Sequence, residues 1–128
     1  RIDRQIFKQR LAKMQNQDFD LATYGWGPDF ADPLTFGELF ASWNPNNNGR
    51  FSNQEYDQSV RLAQSSLDPH IRMNAFGRQQ EILFEEVALI PNYERGRVYI
   101  KDRRLQGVVR RAVGPDPDFT NAYIVENP

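Results

Sequence analysis

The segment from Gly25 to Pro33 places the strongest restriction on how this chain can fold. It holds two glycines and two prolines in nine residues. Helices and central strands exclude this composition, because proline lacks an amide donor and glycine weakens both structures. The segment therefore predicts an irregular loop. Asp32 before Pro33 predicts that a helix follows, since a carboxylate there accepts the free amides of the first turn.

Apolar residues recur at helical spacing on both sides of this loop and predict four helices. Ser52 and Glu55 match a capping box at the start of the third helix. Asp68 before Pro69 repeats the helix-start signal for the fourth. One face of the third helix is predicted to be buried through Tyr56, Val60, Ala63 and Leu67. The predicted helices cover residues 2–14, 33–43 and 69–88, and the third follows the capping box at Ser52 and continues to Leu67.

Four shorter stretches have the composition of strands. Residues 18–26 alternate acidic or small side chains with large apolar ones. Two of the other stretches combine β-branched and aromatic residues, and the stretch 107–109 has two valines after a glycine. Helices mixed with strands predict an α/β fold in which several helices pack on a small mixed sheet. The predicted strands are 18–26, 97–100, 107–109 and 122–125.

Composition excludes several classes of function. Sixteen Lys and Arg against 17 Asp and Glu give a net charge of −1, which argues against binding nucleic acid. Without cysteine and with one histidine, the chain lacks a thiol nucleophile, a disulfide and a standard zinc site. The remaining acid–base candidates are two aspartate pairs, Asp29 with Asp32 and Asp116 with Asp118. We therefore predict no enzyme, no catalytic residue, no metal site and no cofactor.

The loop from Asn44 to Glu55 leaves one alternative open. Its asparagines, with Gly49 and Glu55, fall on the ligand and turn positions of a calcium-binding helix–loop–helix module. Only Glu55 among these residues is charged, whereas calcium is held by several carboxylates. The competing interpretation is a solvated connector.

The loop at residues 25–29 has features of a ligand site. Gly25 and Gly27 flank Trp26. Because glycine has no Cβ, the backbone at these two positions could lie close to a ligand while the indole ring of Trp26 flanks it. Asp29 follows, and a carboxylate near aromatic rings suits an ammonium group. The residues equally allow a structural role, in which Trp26, Phe30 and Phe36 are core and Asp29 turns the chain. A stand-alone structural or interaction domain is the corresponding functional alternative.

Four segments follow one another in a characteristic order: FDL and GWGPDFADP at 19–33, FSNQEYD at 51–57, EILFEEVALIPNY at 81–93, and Gly107 after a basic stretch. Together they resemble the bacterial extracellular solute-binding proteins of oligopeptide ABC transporters, family 5 of the dipeptide and oligopeptide type. The resemblance covers roughly residues 15–110 and is carried by the ordered set rather than by one motif.

The resemblance implies that residues 1–128 are a single domain, the C-terminal fragment of a two-lobed peptide receptor. The expected fold is part of one lobe of a periplasmic-binding-protein-like (type II) architecture. The implied function is non-catalytic capture of oligopeptides in the cleft between lobes, for delivery to a membrane ABC permease. The implied location is the periplasm or the outer face of the cytoplasmic membrane, with a lipid anchor, and a monomer is expected.

The resemblance also assigns the site residues. Asp29 is expected to hold the α-ammonium group of the peptide, and Trp26 to form the wall of a side-chain pocket. The backbone of Gly25 and Gly27 is expected to pair with the peptide main chain, as strand edges do. Some relatives have a basic residue where this chain has Thr23, so peptide length stays open, as do nickel complexes, haem or sugars as ligands.

Overall fold

The computed structural model describes residues 2–114 and 116–126, and the chain divides into two compact units. Unit 1 comprises Arg1–Gly27 with Asp32–Ile90, and unit 2 comprises Pro28–Ala31 with Pro91–Pro128. That residues 1–128 form a single domain stays a prediction. The helices of unit 1 are α1 (Phe7–Gln15), α2 (Leu34–Gly37), a 3₁₀ turn (Glu38–Phe40), α3 (Gln54–Ser65) and α4 (Pro69–Glu85). The strands of unit 2 are β1 (Leu105–Gln106) and β2 (Tyr123–Ile124).

The core of unit 1 lies where α3 packs against α4. Three of the four residues predicted to line α3 are completely buried, and Leu67 is 99% exposed because the helix ends at Ser65. From α4, the side chains of Ile82 and Leu83 join this core, and Ala41 and Phe51 contact it from the preceding loop. A second cluster contains Ala63, Ala75 and Phe76.

The helix caps explain where α3 and α4 begin. The side chain of Asp68 accepts hydrogen bonds from the amides of His70 (2.8 Å) and Ile71 (3.4 Å), which confirms the signal before Pro69. The capping box at Ser52 is wrong by one residue. Asn53 caps α3 instead, accepting a hydrogen bond of 2.9 Å from the amide of Tyr56.

All four predicted helices differ in extent from the structure, and the third ends at Ser65 rather than Leu67. The second ends at Phe40 rather than Trp43, because the backbone turns extended at Ala41 and the Asn44 side chain donates to the carbonyl of Glu38 (2.8 Å). The first begins at Phe7, and the fourth ends at Glu85. No helix within the described ranges combines the length and the apolar character needed to cross a membrane.

The predicted strands are largely corrected by the structure. Residues 18–26 and 97–100 are not strands in the described part of the chain, because alternation alone cannot form a strand without a neighbour to pair with. Residues 107–109 contribute one antiparallel bridge, from Val109 to Asp118. The stretch 122–125 contains β2, which pairs antiparallel with β1, so the described sheet is a two-stranded antiparallel pair rather than a mixed sheet.

Gly107 lies directly after β1 and has a backbone conformation that favours glycine. Its φ is +71°, and a Cβ placed on it would collide with the carbonyl oxygen of Asn121, just before β2. The close approach of these two backbone segments therefore requires a residue without a side chain.

We expect Gly107→Ala to destabilise the β1–β2 pair by about 1–3 kcal/mol, because it adds both backbone strain and a steric clash. Gly96→Ala is the matched control in unit 2, since a Cβ at Gly96 meets no atom within 4 Å. Hydrogen exchange of the amides in the two strands measures the effect. Equal protection in the two variants would contradict the prediction.

Candidate functional site

The loop that the sequence singles out is irregular and open to solvent. Residues 25–28 have no regular structure, as predicted, and neither do residues 22–24, which belonged to the predicted strand. Gly25, Gly27 and Asp29 are exposed, and Trp26 is half-buried. A Cβ placed on Gly25 or Gly27 would meet no atom within 4 Å, and neither glycine has a positive φ. Packing within this chain therefore does not explain why the two positions are glycine.

The carbonyl of Thr23 in this loop accepts a hydrogen bond from the guanidinium of Arg10 at 3.2 Å, whereas the described part of the chain offers no partner to the glycine–tryptophan–glycine stretch after it. Among the described residues, the backbone amides and carbonyls of Gly25, Trp26 and Gly27 have no hydrogen-bond partner. The indole Nε1 of Trp26 is buried and also lacks a partner. Backbone groups that are open to solvent and have no protein partner are available to pair with an added chain.

The structural interpretation of this loop is not supported at its two phenylalanines. Phe30 is 40% exposed and Phe36 is 46% exposed, so neither belongs to the core described above. Trp26 is buried in part. The side chains of Phe30 and Phe36 are thus accessible rather than committed to packing.

Asp32 fixes the end of the loop and is not available for acid–base chemistry. Its side chain accepts a hydrogen bond from the amide of Leu34 (2.9 Å), as predicted for a helix start. Both of its oxygens also accept hydrogen bonds from the guanidinium of Arg72 on α4, at 2.7 and 2.5 Å. The same guanidinium lies over the ring of Phe76. The carboxylate therefore joins α2 to α4.

The carboxylate of Asp116 is enclosed by cationic groups. Arg110 donates to both of its oxygens (2.6 and 2.9 Å), the hydroxyl of Tyr99 donates at 3.0 Å, and Arg97 lies at 3.4 Å. The Arg110 guanidinium also stacks on the Tyr99 ring. Hydrogen bonds from Arg110 hold the pKa of Asp116 well below its usual range. Asp116 is therefore an ionised structural partner at neutral pH.

Asp118 is also held by hydrogen bonds. Thr120 donates from its hydroxyl (2.6 Å) and from its amide (2.9 Å), and Arg111 donates at 2.8 and 3.1 Å. These bonds, those of Thr120 first, lower the pKa of Asp118 to about 2. A carboxyl group that stays ionised and paired cannot act as a general acid at neutral pH, so this pair does not form a catalytic dyad.

The Asn44–Glu55 loop is held by its own side chains. Asn47 is buried, and its amide nitrogen donates to the carbonyls of Phe51 (2.8 Å), Ala41 (3.3 Å) and Phe40 (3.4 Å). Its side-chain oxygen accepts from the amide of Phe51 (3.0 Å). The oxygen of the Asn44 side chain accepts from a backbone amide two residues later (2.8 Å).

These contacts occupy side-chain oxygens that would have to coordinate a calcium ion. Glu55, the one charged ligand of the motif, binds Arg78 through both oxygens at 2.7 and 3.1 Å. Hydrogen bonding to Arg78 lowers the pKa of Glu55. Nowhere in the described part of the chain do three His, Cys, Asp or Glu residues form a group that could hold a metal ion. The arrangement favours the connector over the calcium site.

Comparison with known proteins identifies the relatives of this chain. No family model matches it. It is 32% identical over 96 residues to the dipeptide-binding protein DppE of Bacillus subtilis, which covers 75% of this chain and 18% of that protein. It is 26% identical over 131 residues to the periplasmic oligopeptide-binding protein OppA of Haemophilus influenzae, which covers 99% of this chain and 24% of that protein.

A solved structure gives the fold. The substrate-binding domain of an oligopeptide ABC transporter from Bacillus anthracis is 36% identical and superimposes with a TM-score of 0.87, covering 98% of this chain and 25% of that one. The chain is a homologue of the peptide-binding proteins of ABC transporters. The resemblance to solute-binding protein family 5 and the assignment to part of an α/β lobe are thereby confirmed. The chain spans between 18% and 25% of the length of these three relatives.

Sequence analysis missed the residues that hold the loops and helices of unit 1 together over long sequence distances. Arg72 pairs with a residue 40 positions earlier, and Arg78 pairs with one 23 positions earlier. Asn47 looked like one of several solvated loop residues. Short-range patterns cannot reveal such partners, and the one local signal was that both arginines lie on the predicted fourth helix.

We expect Asn47→Ala to lower the free energy of unfolding by about 1–3 kcal/mol, because it leaves a buried amide and buried carbonyls unpaired. Asn46→Ala is the matched control, since that side chain is exposed and makes no hydrogen bond among the described residues. Denaturant unfolding followed by circular dichroism gives both values. Similar losses in the two variants would mean that Asn47 does not hold the loop.

We expect the contacts of Asp118 to be lost in acid. The folded pKa of about 2 lies below the ordinary value of about 3.9. The group therefore contributes its full stabilisation above about pH 5 and loses it as the pH falls toward 2. An NMR titration of the Thr120 amide and the Asp118 carboxyl carbon follows this loss. A midpoint near 4, or no effect of Asp118→Asn on the profile, would contradict the assignment.

Proposed function

We propose that this chain forms part of the peptide site of a receptor that delivers oligopeptides to an ABC importer. The observation that carries the proposal is the exposed backbone of residues 25–27, which is unpaired and is followed by the exposed carboxylate of Asp29. The relatives are named as dipeptide-binding and oligopeptide-binding proteins, and these names describe binding rather than catalysis.

Backbone pairing explains how such a site would recognise peptides of many sequences. A peptide that lies extended against residues 25–27 would exchange main-chain hydrogen bonds with them, and every peptide offers the same main chain. Glycine at positions 25 and 27 leaves room for this approach, since open space surrounds both Cα atoms. The indole ring of Trp26 would form one wall of a pocket for a peptide side chain.

Asp29 would supply the one charged contact. A peptide held in a closed cleft brings its α-ammonium group out of water, and such a charge costs several kcal/mol unless it is paired. A carboxylate meets this need by a charge-assisted hydrogen bond. The assignment of this role to Asp29 comes from its place in the GWGPDFADP motif.

The whole receptor would act outside the cytoplasm. By the family resemblance, residues 1–128 are the C-terminal portion of a monomeric, lipid-anchored receptor at the outer face of the membrane or in the periplasm. One relative is named as periplasmic. Two lobes would close over the peptide by a hinge motion, and the membrane permease would recognise the closed form.

We expect Asp29→Ala to weaken peptide binding by about 2–5 kcal/mol, the cost of breaking a buried charge pair. The measurement is calorimetry on a chimera in which residues 1–128 replace the matching quarter of the Bacillus anthracis protein. Glu94→Ala is the matched control, because Glu94 is an exposed carboxylate outside the four segments that carry the resemblance. It should leave the affinity unchanged.

Acetylation of the peptide amine tests whether Asp29 binds that amine directly, rather than acting only through its negative charge on the receptor. The unmodified chimera should bind the free peptide more tightly than its N-acetylated form, and the Asp29→Ala chimera should bind both equally. If acetylation leaves the affinity of the unmodified chimera unchanged, Asp29 does not hold the amine.

A further inference from the structure

The Asn44–Glu55 loop contains a reactive pair of residues that the proposed peptide site does not use. Asn48 is followed by Gly49, and no other asparagine of the chain precedes a glycine. Asparagine is thermolabile, because the backbone nitrogen of the next residue can attack its side chain and close a five-membered ring. Glycine in that next position leaves the nitrogen accessible, since it has no Cβ. Among the asparagines, Asn48 therefore has the neighbour that hinders this reaction least.

The structure leaves the attacking nitrogen of Gly49 free. Asn48 and Gly49 lie at the centre of a turn that is closed by a hydrogen bond of 3.1 Å from the amide of Arg50 to the carbonyl of Asn47. Within the described part of the chain, the amide of Gly49 donates to no acceptor. Gly49 is exposed, and a Cβ placed on it would meet no atom within 4 Å. Water and hydroxide therefore have access to this position.

The side chain of Asn48 is held only weakly. It is half-buried, and among the described residues it makes one hydrogen bond, from Nδ2 to the carbonyl of Asn46 at 3.1 Å. One exposed hydrogen bond between neighbouring loop residues contributes little to stability. It does not keep the amide away from the nitrogen of Gly49.

The other asparagines of this loop are protected by the same backbone. Attack on Asn46 would use the amide of Asn47, which donates a hydrogen bond of 3.0 Å to the carbonyl of Asn44 and belongs to a buried residue. Attack on Asn47 would use the amide of Asn48, which donates to the carbonyl of Asn46 at 2.8 Å. Asn44 precedes a proline, and proline has no N–H. The loop thus exposes one reactive pair among four asparagines.

We propose that Asn48 is a site of spontaneous deamidation, with water as the co-reactant. The nitrogen of Gly49 loses its proton and attacks Cγ of Asn48, the Cγ–Nδ2 bond breaks, and ammonia leaves with that proton. Water then opens the succinimide ring. Opening at Cγ gives aspartate, and opening at the backbone carbonyl gives isoaspartate, in which the main chain continues through Cβ and Cγ. Either product has one more negative charge than the original protein.

Isoaspartate at position 48 disturbs the contacts that hold the loop. Its route through Cβ and Cγ adds one atom to the main chain between Asn47 and Phe51. Three hydrogen bonds span this stretch: the Arg50 amide to the Asn47 carbonyl (3.1 Å), the Phe51 amide to the Asn47 side-chain oxygen (3.0 Å), and the Asn47 side-chain nitrogen to the Phe51 carbonyl (2.8 Å). Phe51 packs against the core of unit 1. The modification therefore reaches the core through the loop.

The test follows every asparagine by mass spectrometry of tryptic peptides while residues 1–128 are kept in warm, mildly alkaline buffer. Asn48 is expected to convert first, and isoaspartyl methyltransferase should label the product. Asn46 should remain an amide when half of Asn48 has converted. The chimera with the Bacillus anthracis protein is measured in the same way, so the result does not depend on residues 1–128 folding alone.

Two variants identify the attacking group. Gly49→Ala should melt at the temperature of the parent, because its Cβ meets open space and its φ is not positive. It should deamidate about tenfold more slowly, since a steric cost of about 1.4 kcal/mol in the transition state has that effect. Asn48→Gln keeps an amide but cannot close the five-membered ring, so it should stay unconverted at this position.

The melting temperature measures the effect on the loop. The converted protein, separated from the parent by anion exchange, is expected to melt at least about 3 °C lower. Asn48→Asp is the matched control, because it adds the same charge without lengthening the main chain. Its melting temperature should stay closer to that of the parent.

Three results would overturn the inference. If another asparagine converts first, or if Gly49→Ala deamidates as fast as the parent, the nitrogen of Gly49 is not the attacking group. If the converted protein melts at the same temperature as Asn48→Asp, the added main-chain atom does not disturb the contacts of Asn47. Because no readout uses peptide, an error in the role of Asp29 would leave these results unchanged.

Discussion

Tyr56 is the residue on which the packing of unit 1 depends. It is completely buried on α3, and its hydroxyl donates a hydrogen bond of 2.6 Å to the carbonyl of Gly37 at the end of α2. Its ring meets Phe51 edge to face, with centroids 5.5 Å apart. Burial raises the pKa of Tyr56 far above its ordinary value, so the hydroxyl remains a donor throughout the physiological range. One side chain thus fills the core and fixes the short helix beside it.

Polar contacts join further elements of unit 1 to the core that Tyr56 fills. Asp32 joins α2 to α4 through Arg72, and Asn47 holds the loop between the 3₁₀ turn and α3. Each contact satisfies backbone groups that would otherwise be unpaired near the core, and such groups are costly when left alone. Asp32, the first residue of unit 1 after the loop, is thereby fixed on the helical framework.

The sequence predicts those parts of this structure that depend on local signals. The cap at Asp68 and the buried faces of Tyr56, Val60 and Ala63 follow from neighbours within a few positions, and the structure confirms them. Residues 18–26 failed as a strand because a strand needs a partner, and alternation cannot show whether one exists. The Asp32–Arg72 and Glu55–Arg78 pairs could not be foreseen across 40 and 23 residues. At the site, the motif led to Asp29 and Trp26, but only the structure revealed the unpaired backbone beside them.

The short connection between α3 and α4 has a consequence for how such a protein is made. Three residues, 66–68, join two helices that carry most of the core, so little chain entropy is lost when they meet. Folds dominated by such near-neighbour contacts form quickly, on the order of microseconds to milliseconds. A helical hairpin of this kind can form before distant segments arrive. Exposed leucine and isoleucine side chains on this hairpin favour aggregation, and the exposed charged side chains among them oppose it.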